Sequence, residues 1–391
     1  MQGDLKSINL NGVIDESLMA LFPAETQDNF IFSPMGLWLL VAQNAYALRD
    51  GLSLHERRTI ERTLGCKIED VPSLVKDIAS TEAVDLDGES SSQVSVKSAF
   101  WFDDISYNNV GERYRNDLVA AGVNNVSSGM PDSSELNAWV NKATLGIIKE
   151  AKIKDPETLA LLYINAVAVD FKWKKPLIVT QDDVMSSTWG VKNVLKASAM
   201  DGAITFYKHG ANIICAQKME VTTATGADAE VISIVGEVSP EEVAALVQNI
   251  SDGTAELISS EEVVSLAVSG ELPSSISVTP ERSLVPHIFT ISYLPAWKME
   301  GQIKDIENAI PSVGIVAKKA KVAQQVKAEY TSVGFKAAAV TSMPRASGLP
   351  TQYDTHEITV RFNSPYWVAA QVDNVPLFIA RVVTAVEAEE S

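Results

Sequence analysis

The stretch Val333–Asn363 constrains the fold more than any other. It opens on Gly334 and a run of small residues, Ala337, Ala338, Ala339, Val340, Thr341 and Ser342. Turn formers follow at Pro344, Ser347, Gly348 and Pro350. It closes in an alternating strand, with Ile358, Val360 and Phe362 on one side and Thr359 and Arg361 on the other. A surface loop uses Gly, Asn, Asp and Ser because each solves a turn geometry. Three alanines and a valine solve none, but small side chains suit a strand squeezed between two neighbours. Strand side chains alternate, so Phe335, Ala337, Ala339, Thr341 and Met343 share one face, and none is charged. The segment reads either as a strand held in waiting or as an alanine-rich helical turn ahead of a linker.

A chain of 391 residues exceeds the ~250–300 at which a single core normally splits. Yet no Pro/Ser/Gly-rich linker divides it; the acidic Asp85–Ser92 is the best candidate and it is short. A single domain over residues 1–391 is therefore expected. Hydrophobic residues at 46% against 21% charged mark a globular chain rather than a disordered one. The net charge of −18 works against nucleic acid and anionic membrane, which need a cationic face, so neither is an expected partner. Cys66 and Cys215 make no disulfide framework and no CxxC, and both are expected to be buried small hydrophobes. The N-terminal MQGDLKSINLNG has no apolar signal core, and no run of ~18 apolar residues occurs anywhere. A soluble cytoplasmic chain is expected, or an extracellular one if this is a processed mature form.

Along the chain, Ser33 before Pro34 reads as a helix cap followed by a first-turn proline. The run behind it (Met35, Leu37, Trp38, Leu39, Leu40, Val41, Ala42) is apolar all round, which predicts a buried helix. Other helices are expected at Glu16–Phe22, Glu56–Leu64, Val71–Ile78, Gly111–Ala121, Ser133–Glu150, Pro240–Ile250 and Ile303–Ile310. Val94–Phe102 reads as a strand, and Leu159–Val169 as a strand covered on both faces. Short strands dominate Thr188–Gly270, and Ile288–Pro295, Val360–Asn363, Tyr366–Val372 and Leu377–Thr384 follow. Helices and strands mix without βαβ alternation, so the class is α+β.

Chemistry leaves few marks. There is no GxSxG elbow, Walker loop, GxGxxG or HExxH. Four histidines (His55, His209, His287, His356) show no metal-ligand spacing. No catalytic residue, metal or cofactor is expected, and the chain is not expected to be an enzyme.

Several segments together resemble the serpin family. NAWVNKATLGIIK (137–149) is similar to its Asn-x-Trp-Val-x-x-x-Thr-x-Gly helix, and LLYINAVAVDFKWKKPL (161–177) to its buried strand ending in Asn…Trp…Pro. NFIFSPMGLW (29–38) resembles the Ser-Pro helix start, FTISYLPAWKMEG (289–301) the Leu-Pro strand, and FNSPYWVAAQVDNVPLFIARVV (362–383) the closing strand pair. The matches fall in family order over nearly the whole chain. The resemblance implies three β-sheets, about nine helices and an exposed reactive-centre loop, here 334–358. It implies a monomer acting on a serine protease as a suicide substrate: the loop is cut, the protease is held as an acyl-enzyme, and the loop enters the central sheet. The alternative is a serpin-fold carrier, chaperone or binding scaffold without inhibitory action.

The resemblance also implies site residues. The hinge maps to Gly334, Phe335, Lys336, Ala337, Ala338, Ala339, Val340 and Thr341. The shutter, a polar cluster under the opening sheet, maps to Ser33, Asn165 and Gln324. The breach at the top of the sheet maps to Trp173. There are departures. Ser332 and Val333 replace an acidic pair, Phe335 replaces Thr or Ser, Gly36 replaces the second shutter serine, and Gln324 replaces histidine. Burying Phe335 stabilises by ~1.5–3 kcal/mol, while overpacking costs ~1–3 kcal/mol, so its sign is open. Gly334 is expected to supply backbone freedom. Counting forward from Gly334 places the scissile bond at Gly348–Leu349; counting back from Phe362 places it at Asp354–Thr355. The forward count is preferred, because insertion length sets how far the protease is carried. Gly348–Leu349 would suit an elastase- or subtilisin-like protease, and Arg345 is a trypsin-type bait lying closer to the hinge.

Overall fold

The computed structural model describes residues 10–22, 28–80, 92–198, 203–221, 228–283, 287–317, 322–335 and 353–385. Helix and strand mix as the α+β reading requires. Twelve α-helices occur among the described residues, where about nine were expected.

The helix Pro34–Leu48 is the central one. The Ser33 Oγ accepts the Gly36 N–H at 3.1 Å, which caps it. Met35, Trp38, Val41, Ala42 and Ala45 are all buried, and so are Gln43 and Asn44 on the remaining face. The helix Ser133–Ala143 opens on an Asp132/Glu135 capping box. It stops well short of Glu150, because Leu145 (φ 54) and Gly146 (φ 78) turn left-handed there.

One sheet has seven strands, in the order β1 (Phe30–Phe32), β18 (Val375–Val382), β17 (Tyr366–Val372), β9 (Ala229–Val235), β8 (Asn212–Glu220), β7 (Ala203–His209) and β10 (Leu257–Ile258). Every residue of β17 is buried, so this sheet is a core layer. A second sheet has five strands, in the order β11 (Ile276–Ser283), β16 (Tyr353–Arg361), β12 (Phe289–Pro295), β6 (Val194–Ser198) and β5 (Ile178–Thr180).

The third layer is split, so the described residues form four ladders rather than three sheets. One piece has the order β15 (Gly334–Phe335), β4 (Leu161–Lys172), β2 (Gln93–Phe102) and β3 (Asn125–Ser128). The other is the pair β13 (Trp297–Ile303) and β14 (Gln324–Tyr330). β4 pairs with β2 along its whole near edge, Phe102↔Leu161 through Gln93↔Asp170. Its far edge carries only Phe171 and Lys172 in a ladder among the described residues. This half-open edge explains why β4 is less covered than its apolar sequence suggests: Tyr163, Ile164, Asn165 and Val167 are only half-buried.

β16 also shortens the segment read as loop. Positions 353–358 belong to a strand, and Gly334 and Phe335 to another, so 336–352 is the part outside any described element.

Candidate functional site

The split between β4 and β14 forms an open cleft of about 480 Å³. Val167–Val169 line one rim and Gln325–Glu329 the other, with Thr144, Ile147 and Ile148 beside them and Phe335 at one end. Below β15 each rim is a strand edge with no ladder partner among the described residues, and a strand edge is a row of N–H and C=O groups seeking partners.

At the upper end the chain turns back on itself. β14 ends at Tyr330, and the N–H and Oγ of Thr331 both donate to the Gly334 carbonyl, each at 2.9 Å. Trp173 holds this turn twice. Its main-chain N–H donates to the Val333 carbonyl at 3.0 Å, and its indole N–H donates to the Thr331 carbonyl at 3.0 Å. The Leu177 N–H donates to the Ser332 carbonyl at 2.6 Å, which ties the residue before β5 to this turn. Gly334 and Phe335 then pair antiparallel with Lys172 and Phe171.

Gly334 is needed here for closeness, not for freedom. Its φ lies outside the left-handed region. A Cβ at this position would overlap the Phe171 carbonyl oxygen and crowd Lys172 Cα. Phe335 is 4% exposed and packs edge-on against Trp297 (6.0 Å, 78°) and Tyr330 (6.4 Å, 83°). Tyr330 in turn lies 5.3 Å from the Trp173 ring. This packing shows what surrounds the ring in the present arrangement. The ring finds room, and its burial is favourable by ~1.5–3 kcal/mol, with ~0.5–1.5 kcal/mol more from aromatic contacts. Burial pushes the Tyr330 hydroxyl above its ordinary value, which keeps it protonated.

The lower end is polar, and it is built on the first turn of the helix Pro34–Leu48. The Gln324 side chain grips Ser33 from both sides: its Oε1 accepts the Ser33 N–H at 2.8 Å and its Nε2 donates to the Ser33 carbonyl at 3.0 Å. Ser33 Oγ donates to the Leu377 carbonyl at 2.7 Å. From the other rim, Asn165 Nδ2 donates to the Gly36 carbonyl at 2.8 Å. One helical turn therefore bridges both rims of the cleft. A Cβ on Gly36 would stand 3.0 Å from Gln324 Nε2 and 3.1 Å from Asn165 Oδ1. The two departures from the family pattern are thus coupled, since glycine at 36 leaves room for the glutamine amide. Gln325 adds a third tie, accepting from the Lys152 N–H at 3.1 Å and donating to Glu150 O at 3.2 Å.

Of the residues singled out from sequence, Ser33, Asn165 and Gln324 meet at one end of the cleft, and Gly334, Phe335 and Trp173 at the other. Lys336, Ala337, Ala338, Ala339, Val340 and Thr341 lie outside the described residues, as do Arg345, Gly348 and Leu349. The second scissile-bond position is corrected. Asp354 and Thr355 sit inside β16, paired with Arg282 and Glu281, and Thr355 is 8% exposed. A protease needs an extended segment free of a sheet, and this bond is not free. Trp297, Tyr330, Thr331 and Leu177 were missed. Cross-strand pairing reveals Trp297 and Tyr330, and main-chain hydrogen bonds between distant segments reveal Thr331 and Leu177.

Among the described residues no three His, Cys, Asp or Glu side chains gather as a metal would require, and no helix is long and apolar enough to cross a membrane. Cys215 is buried, but Cys66 is only half-buried; burial and the nearby Asp70 and Glu61 push its thiol up to about 11.

No family model and no curated protein matches this sequence. Solved structures do match in fold. Tengpin, a thermophilic serpin in its native state, is 17% identical with a TM-score of 0.62, covering 96% of this chain and 94% of its own. Serpin48 of the insect Tenebrio molitor is 16% identical with a TM-score of 0.60, covering 96% and 97%. Human thyroxine-binding globulin, solved with its hormone, is 12% identical with a TM-score of 0.62, covering 97% and 98%. A cleft between two strand edges that have no ladder partner among the described residues, a helix turn bridging its rims and near-complete overlap with these structures lead to one conclusion: the chain has the serpin fold.

Proposed function

We propose that this protein inhibits a serine endopeptidase as a suicide substrate, and is not itself an enzyme. The observation that carries the reading is the split sheet with β15 already seated at its mouth. A target protease attacks the chain within 336–352, at Gly348–Leu349 by preference, and its serine becomes esterified to the new C-terminal carbonyl. The freed strand continues from Phe335 down the cleft, pairing with the far edge of β4 and the free edge of β14. Every N–H and C=O along both rims gains a partner, so insertion is downhill. Ala337, Ala339 and Thr341 are small enough to pass the inner face. In this reading Gly334–Thr341 act as hinge, Trp173 holds the mouth closed, and Ser33, Asn165 and Gln324 hold the rims until the strand arrives. Elastase- or subtilisin-like enzymes are the proposed partners, because they accept small residues at the cut.

The test is to mix the protein with elastase, subtilisin and trypsin and run denaturing gels. A band at the summed mass, with a rise in melting temperature of the cut chain, is the expected result. A second reading, a carrier of a small ligand, draws on the likeness to thyroxine-binding globulin and on the missing acidic pair before Gly334. Cleavage without the summed band and without any thermal gain would favour it.

A further inference from the structure

The strand β11 has no counterpart in the sequence reading, and its position changes what β16 can do. β16 is the strand that receives the chain after residue 352. It lies between β11 and β12 and is hydrogen-bonded along both edges. The parallel ladder to β12 begins only at Glu357, opposite Phe289. The antiparallel ladder to β11 runs the full length, from Ile276↔Val360 to Ser283↔Tyr353. Among the described residues, therefore, Tyr353–His356 are held in a ladder by β11 alone.

Those are the residues that an uncut chain would have to surrender. From Phe171 to Leu161 β4 makes ten steps, about 33 Å of rim. A strand filling that rim from Phe335 reaches Arg345, leaving eight steps to Tyr353, at most about 29 Å. The return must climb the same ~33 Å to the level of β5, which follows Leu177 at the upper end of the cleft, before it crosses to β16. The climb alone exceeds the roughly 29 Å available by about 4 Å, so the uncut chain is too short by about one residue before any crossing begins. It gains that length only by peeling the start of β16 away from β11.

We propose that β11 is a clamp on the far anchor of the loop, which allows the cleft to be filled over its full length only after the chain is cut. The proposal rests on the insertion reading given above. Five local features fit it. Pro280 sits opposite His356, and a proline is tolerated on an edge strand where its absent N–H faces away from the partner. The Arg361 N–H donates to Ser275 O at 2.7 Å, which sets the phase of the ladder. Odd-numbered residues of β11 exchange hydrogen bonds with β16, so Glu281 faces Thr355 as a bonded pair. Thr355 Oγ1 also donates to His287 O at 2.6 Å, and Arg361 is pinned to Asp182 by contacts of 3.1–3.3 Å.

The test uses Glu281→Pro in the full chain, an exposed edge position whose N–H is the donor to Thr355. Uncut wild-type and variant proteins are held just below their melting temperature, then remelted, with mass spectrometry confirming that the chain is intact. The wild type is expected to yield a heat-resistant uncut form only slowly. The variant is expected to yield it about tenfold faster, the rate equivalent of a lost ladder hydrogen bond. Cut samples of both are expected to gain the same thermal resistance. Equal conversion of the two uncut proteins, with the cut proteins still gaining, overturns the clamp and leaves the insertion reading standing. No gain in the cut wild type overturns the insertion reading, and the clamp with it. Hydrogen exchange on the wild type is the second measurement: the Thr355 amide is expected to be as protected as β17, and exchange at a loop rate overturns the clamp even if the variant does not fold.

Discussion

The two ends of the cleft are closed by opposite kinds of chemistry. The upper end is aromatic and dry, with Phe335, Trp297, Tyr330 and Trp173 packed around a two-residue strand. The lower end is polar, with Ser33, Gln324 and Asn165 joined by directional hydrogen bonds at 2.7–3.0 Å. Burial is non-directional and is lost only when the surfaces separate. Hydrogen bonds can be exchanged one for another, and each is worth ~0.5–1.5 kcal/mol net. The upper end should therefore stay shut while the lower one trades partners with an entering backbone.

The hardest blow to this contrast is Trp297→Ala. Trp297 is fully buried against Tyr330 and Phe335, and its loss is expected to cost about 4 kcal/mol in equilibrium denaturation. A cost below about 1 kcal/mol would mean that the aromatic end is not the cohesive one. Gln324→Ala removes both side-chain contacts to the Ser33 main chain and is expected to cost about 2 kcal/mol while speeding insertion of the cut strand. If insertion does not accelerate, as followed by tryptophan fluorescence after cleavage, the amide is not holding the rims. Gly36→Ala is expected to cost about 1 kcal/mol through crowding of the Gln324 and Asn165 amides, and Gly36→Ala with Gln324→Ala to cost less than the sum. Additive costs would break the proposed coupling between the two positions.

The smallest expected effect concerns acid. Burial pushes Asp182 up, but hydrogen bonds from Arg361 and the Met185 N–H outweigh it and hold the carboxyl below its ordinary value. A depressed carboxylate contributes stability that is present above its unfolded value, near 3.9, and is lost as pH falls through the lower folded value. Asp182→Asn should flatten stability against pH below about 4 and leave the profile near neutrality unchanged. An unchanged acid limb would show that the Arg361 anchor of β16 contributes nothing measurable.

Much of this molecule is local, and local structure was legible. The Ser33-Pro34 helix start, the closing strands and the amphipathic helix at Ser133 follow from caps and periodicity that neighbouring residues carry among themselves. The Ser133 helix was read too long because its amphipathic pattern runs past Leu145, where only the backbone reverses. β11 escaped notice for the opposite reason. Pro280, Glu281 and Arg282 argue against a strand by propensity, and only an edge position makes them acceptable.

The ordered motifs, read as a resemblance, pointed to the fold, and the small-residue run after Gly334 pointed to a strand that could sit between two others. Those properties belong to single segments, so the sequence alone could carry them. That β4 and β14 stand apart was decided by tertiary structure, because a free edge is a property of two strands separated by some 160 positions and of whatever does or does not lie between them. The same holds for Gly334, required by the Phe171 carbonyl across the ladder, and for Phe335, whose cost or benefit depended on whether Trp297 and Tyr330 left room for its ring. Periodicity reports which face of an element is apolar; it does not report which distant neighbour arrives to cover it.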